Sequence, residues 1–174
     1  MTTNETLVYK FDSKELKNIT ESSHGIPSRC FHSSTMNSSN TIMFVYGGVQ
    51  LTKEKGKVTK KILNDLWMMN IITSSKNDDI SGLWLQINFD KMPPPMKFGH
   101  FGFFLSDKIF YIGSDTENSI LCYDLSDPSN LKRMNPNSIL YSDNPEDLEH
   151  LDFNFSSFGA FDIHKSTLLF TGKL

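Results

Sequence analysis

Pro27-Ser28-Arg29-Cys30-Phe31-His32, followed after a polar gap by Thr41-Ile42-Met43-Phe44-Val45-Tyr46-Gly47-Gly48, decides the fold because the chain repeats it twice more. The second copy is Pro95-Met96-Lys97-Phe98-Gly99-His100-Phe101, then Lys108-Ile109-Phe110-Tyr111-Ile112-Gly113-Ser114. The third is Ser156-Ser157-Phe158-Gly159-Ala160-Phe161, then Thr167-Leu168-Leu169-Phe170-Thr171-Gly172. Each copy is a short polar-to-aromatic segment, a turn, and an apolar strand closed by glycine. Self-similarity of this kind is the signature of a repeat architecture.

More recurs downstream of the glycines. Leu63-Asn64-Asp65-Leu66-Trp67-Met68-Met69-Asn70 answers to Ser119-Ile120-Leu121-Cys122-Tyr123-Asp124. A last strand follows, Leu83-Trp84-Leu85-Gln86-Ile87 in the first copy and Leu131-Lys132-Arg133-Met134 in the second. Each full unit therefore reads as four short strands separated by turns, the content of one propeller blade. Helical periodicity is poor throughout. Residues 137–149, with Asn144-Pro145-Glu146, hold at most a helical turn. The expected class is all-β.

The pattern resembles the kelch-repeat β-propeller family, whose fold includes that of galactose oxidase. The resembling features are a Pro-x-Arg-x-x-His opening, a Gly-Gly after an apolar strand, an Asn-Asp-Leu-Trp segment and a later Trp. In this chain the signature falls on Pro27, Arg29, His32, Gly47, Gly48, Asp65, Trp67 and Trp84. It continues on Pro95, His100, Gly113, Tyr123 and Asp124, then Gly159 and Gly172. The second copy departs at Lys97, at Ser114 and in lacking a closing Trp. The glycines recur after 66 and then 59 residues, against about 50 for a kelch repeat. Polar insertions account for the surplus, at residues 49–61 and around 73–79, and both have loop composition.

The resemblance implies four-stranded antiparallel blades at residues 27–88 and 95–135. An outer half-blade is expected at 7–20 and an inner half-blade at 155–174, in a single domain over 1–174. These make about three blade equivalents, fewer than the roughly four to eight of propellers. Three readings of that shortfall stand side by side. The chain is a piece of a longer propeller, or it pairs with a second copy as a homodimer to close a six-bladed ring, or it is a small irregular stack completed by another partner.

Composition narrows the function. The 174 residues are 38% hydrophobic and carry a net charge of −3, which argues against nucleic acid or an anionic membrane as a general partner. No stretch approaches the roughly 20 apolar residues of a membrane span, and Met1-Thr2-Thr3-Asn4-Glu5 lacks a secretory pattern. Cys30 and Cys122 fall on expected strands of different blades and read as reduced thiols. The expected compartment is the cytoplasm, with the nucleus as alternative.

No catalytic elbow, phosphate-binding loop or zinc-ligand pair is present, so no cofactor, no metal and no catalytic residue are expected. His32, His100, Trp67 and Trp84 read as packing residues. The resemblance implies that Arg29 ties the opening segment to neighbouring backbone carbonyls; if exposed on the face, it would instead grip an acidic peptide bidentately. Lys53, Lys55, Lys57, Lys60 and Lys61 put five lysines into nine residues, a contact for an acidic partner or a short import signal. The acidic residues Asp143, Glu146, Asp147, Glu149 and Asp152 are opposite in sign. Pro93-Pro94-Pro95 reads as a rigid connector. The expected function is a non-enzymatic interaction module or scaffold, with loops at 50–61 and 73–81 presenting the contacts. The alternatives are an enzyme or sugar-binding propeller with a central-channel site, and a truncated remnant without independent function.

Overall fold

A computed structural model describes residues 3–20, 25–74, 79–88, 101–105, 107–112, 120–124, 126–127, 131–134, 158–162 and 167–171. Among these residues the protein is all-β, built from antiparallel sheets without an α-helix. A hairpin pairs β1 (Leu7–Lys10) with β2 (Glu15–Asn18). A four-stranded sheet follows in chain order: β3 (Ser33–Met36), β4 (Ile42–Glu54), β5 (Lys57–Ser74) and β6 (Asp79–Ile87). A second sheet repeats that order with β7 (Phe101–Leu105), β8 (Lys108–Ile112), β9 (Ile120–Asp124) and β10 (Leu131–Met134). The last hairpin joins β11 (Phe158–Asp162) to β12 (Thr167–Thr171).

The apolar run Ile42-Met43-Phe44-Val45-Tyr46 is uninterrupted because both faces of its sheet are covered. Successive side chains of a strand point to opposite faces. Phe44 and Tyr46 join Leu66 and meet Phe104, Ile109, Tyr111 and Tyr123 of the second sheet. The Phe44 and Phe104 rings stack at 6.3 Å, and Tyr46 lies 4.6 Å from Tyr111, centroid to centroid. Val45 points the other way, with Met69 and Trp84, onto Ile19 and Ile26 beside the first hairpin. The first sheet is thus the filling between two neighbours. The leading strands of consecutive sheets lie side by side, β3 next to β7 and β7 next to β11.

Three expectations change. The apolar strand does not stop at glycine: β4 runs on through Gly47 and Gly48, both at positive φ. Here Tyr46 pairs with Leu66 but Gly48 pairs with Leu63, so Asn64 and Asp65 face Gly47 alone in a β-bulge. The insertion at 49–61 is not a loop. It extends the β4–β5 ladder to a tight turn at Lys55 and Gly56, with φ of 47° and 82°. Two positive φ values in a two-residue turn suit the right-handed twist of the strands, and Gly takes one cheaply. Cross-strand pairs such as Val49 with Ile62 and Thr52 with Thr59 carry the ladder, and this pairing outweighs polar composition. Likewise β5 and β6 extend into the region read as a second loop, to Ser74 and from Asp79.

Cys30 is not on a strand proper. It makes one isolated bridge to Val49, and both cysteines are free thiols. The helical turn at 137–149, the three prolines and the acidic stretch lie outside the described residues.

Candidate functional site

Arg29 is the centre of a polar cluster within the fold. Its Nη1 and Nη2 donate to Oδ1 and Oδ2 of Asp65 at 2.8 and 2.9 Å. Nη1 also donates to the Gly47 carbonyl at 3.0 Å, and Nε to that of Pro27 at 3.1 Å. Asp65 in turn accepts the Trp67 indole N–H at 2.6 Å. The bulge is what makes this reachable, because it turns Asp65 out of the ladder and toward the opening segment. Four signature positions, Arg29, Gly47, Asp65 and Trp67, thereby become one bonded unit.

Burial pushes the Asp65 carboxyl up, but the Arg29 and Trp67 hydrogen bonds and the guanidinium charge outweigh it and hold the group below its ordinary range. Burial pushes the Tyr46 hydroxyl well up, and the negative charge of Asp65 adds to it. The Arg29 side chain is only 3% exposed. This corrects its reading as a grip for an acidic peptide: its donors are spent inside the fold.

Gly48 needs to be glycine for space as well as for φ. A Cβ there would lie 2.6 Å from the Cys30 carbonyl oxygen and 2.9 Å from the His32 nitrogen. His32 presses its backbone against Gly48 while its side chain is exposed at the rim of a cleft. That cleft has a volume of about 480 Å³ and lies between residues 3–8 and the first sheet, floored by Val45, Met69 and Trp84. Trp84 is buried, and its indole donates to Thr6 Oγ1 at 3.2 Å. Thr6 carries no sequence signal for this, since 78 residues separate the two. The Trp67 ring is partly buried against the same apolar cluster.

In the second sheet Tyr123 is buried in the interface between sheets. Hydrogen bonds from Ser126 and the Lys108 ammonium hold the Asp124 carboxyl down at about 2. Gly159 sits in β11 opposite Phe170. Pro95, His100, Gly113 and Gly172 lie outside the described residues.

The five lysines do not form one patch. All are exposed, but the register distributes them. Lys53 and Lys60 share one face of the β4–β5 extension, Lys57 and Lys61 the other, and Lys55 occupies the turn. Among the described residues no group of three or more His, Cys, Asp or Glu side chains is placed to hold a metal. No helix among them is long and apolar enough to cross a membrane. No family model matches the chain, and no curated protein matches it either.

Proposed function

We propose that the chain is a non-enzymatic, kelch-like interaction module, its sheets serving as propeller blades and its projecting hairpins as contact surfaces. The observation that carries this reading is the repetition of one unit: two four-stranded meanders of equal order, stacked face to face with their first strands adjacent. Neighbouring wedges around a common axis stand in that relation. The Arg29–Asp65 unit supports it, since a buried tie between the opening segment and the third strand is scaffold chemistry. A scaffold leaves recognition to what projects from it.

On this reading the partner is a protein and the compartment the cytoplasm or nucleus. A second copy is the occupant we favour for the outer face of the first hairpin. Leu7, Tyr9 and Leu16 lie exposed together there by register, with Phe11 just beyond at 84% exposure. The test of the module is capture of a protein partner followed by reconstitution from purified components. Saturable binding of stated stoichiometry supports it. Stoichiometric copper or zinc in the purified protein, measured by emission spectroscopy, would overturn it in favour of a channel enzyme.

A further inference from the structure

The cleft between residues 3–8 and the first sheet has a pinned wall. The Thr3 carbonyl accepts the Arg29 N–H at 3.4 Å, and the Thr6 carbonyl accepts the Ile19 N–H at 2.9 Å. The Thr6 N–H donates to Thr20 Oγ1 at 2.8 Å, while the Thr6 hydroxyl takes the Trp84 indole N–H. The segment is therefore tied to the opening stretch, to the end of the first hairpin and to the floor. Its volume of about 480 Å³ falls within the roughly 300–1,000 Å³ of small-molecule sites, which are concave, mostly apolar and carry a few placed polar groups.

Floor and rim differ in chemistry. Val45, Met69 and Trp84 are buried in the floor, with Met43 and Ile71 partly buried beside them. An indole and two thioethers suit a flat apolar group, the methionines adjusting to its outline. At the rim Asn4 and Glu5 are exposed. Among the described residues the Glu5 carboxylate has no hydrogen bond or ion pair. Arg29 also lines the cleft, but its charge is met by Asp65. His32 completes the rim. One uncompensated negative charge thus stands over an apolar floor.

We propose that this cleft binds a small organic cation, a primary amine on a flat apolar body. The body lies on Met69 and Trp84, and the ammonium donates to the Glu5 carboxylate, with the Asn4 side-chain carbonyl as second acceptor. The floor supplies affinity through apolar burial. Charge sets the selectivity, because an anion would be repelled by Glu5 and a neutral molecule would leave it unused. A volume of this order suits a free molecule of one or two rings, not a strand or helix of a partner. The site is separate from the interaction-module reading and does not depend on it.

Isothermal titration calorimetry on the full chain tests this with phenylbutylamine. Phenylbutanol and phenylbutyrate are the neutral and anionic counterparts of the same body. Work at pH 8, above the ordinary imidazole range, leaves the carboxylate as the charge being read. We expect the amine to bind with a dissociation constant of about 1 mM or below and to weaken with added salt. The alcohol should bind about fivefold more weakly, and the carboxylate not measurably. Glu5→Gln should remove the amine's advantage and leave the alcohol unchanged. Val8→Phe, at a lining position, narrows the cleft and should weaken amine and alcohol together. An unchanged thermal midpoint verifies folding, and the smaller Val8→Leu replaces Val8→Phe if the latter unfolds. Equal binding of amine and alcohol, an amine that ignores Glu5→Gln or the Val8 variant, or no amine binding overturns the site. Each of these leaves the module reading intact, because that reading stands or falls on reconstitution with a captured partner.

Discussion

The guanidinium of Arg29 and the carboxylate of Asp65 form a two-point bond across 36 residues of sequence, with both nitrogen–oxygen distances under 3 Å. The pair closes the opening segment onto the β-bulge beside Gly47 and Gly48. It is therefore a fold determinant as much as an ion pair.

Removing one partner should be costly. Asp65→Asn leaves the guanidinium buried with an uncompensated charge, and breaking such a pair costs about 3–5 kcal/mol. Asp65 keeps some exposure, 15% of its side chain, so the lower end of that range is expected. Chemical denaturation measures it, and Arg29→Lys should fall between wild type and Asp65→Asn because a single ammonium cannot bond both oxygens at once.

The same carboxyl sets an acid limb in stability. Its folded pKa lies below its unfolded value, taken as about 3.9 for a free aspartate. The ionised form is thus favoured by folding. The stabilisation is fully present above the unfolded pKa and disappears as pH falls through the folded one. Denaturation midpoints taken from pH 6 down to pH 2 should decline, and the decline should be shallower in Asp65→Asn.

Two glycines with positive φ separate backbone strain from crowding. Gly48→Ala meets both, since its Cβ collides with the Cys30 carbonyl, and a strained residue alone costs about 1–3 kcal/mol. Gly56→Ala meets only the strain, because nothing lies within 4 Å of its added Cβ. We expect Gly48→Ala to lower the thermal midpoint several degrees more than Gly56→Ala.

Burial between the sheets should show in leucines of one sheet. Leu66 is fully buried at the interface with the second sheet, so Leu66→Ala should cost about 2–5 kcal/mol. Leu85 shares its face of the sheet with Leu66 by register but is 41% exposed. Leu85→Ala should stay within about 0.5 kcal/mol of wild type. A comparable loss at both sites would contradict the stacking of the two sheets.

Self-association has its own readout. If a second copy covers Leu7, Tyr9 and Leu16, light scattering should give twice the chain mass, reduced to the single mass by Leu16→Glu. A folded monomer at all accessible concentrations would reject the pairing.

Strands were legible wherever a local signal is strong. The Lys108-to-Ile112 and Thr167-to-Thr171 strands appear within a residue of the positions read from their apolar runs. Gly47 and Gly48 were legible as a break in the apolar run, and both take positive φ, a conformation few other residues adopt cheaply. Residues 49–61 were misread because lysines and threonines carry a loop-like composition. Nothing in that composition records that all but the turn residues Lys55 and Gly56 have a cross-strand partner. Arg29 kept two roles for a related reason: in a Pro-x-Arg-x-x-His opening the arginine reads first as a tie, with a surface grip as the alternative until Asp65 is brought beside it.

Alternation, spacing and backbone permissiveness act over a few residues, and the order of amino acids alone settled them: an all-strand chain, its repeated unit and the glycines that bend it. The rest depended on partners distant in the chain. Pairing with Gln50 to Glu54 made an arm of residues 57–61, a one-residue mismatch opposite Gly47 aimed Asp65 at Arg29, and a second sheet buried Tyr46. Such choices belong to the folded state, because a side chain's environment is made by residues that only the closed chain brings within reach.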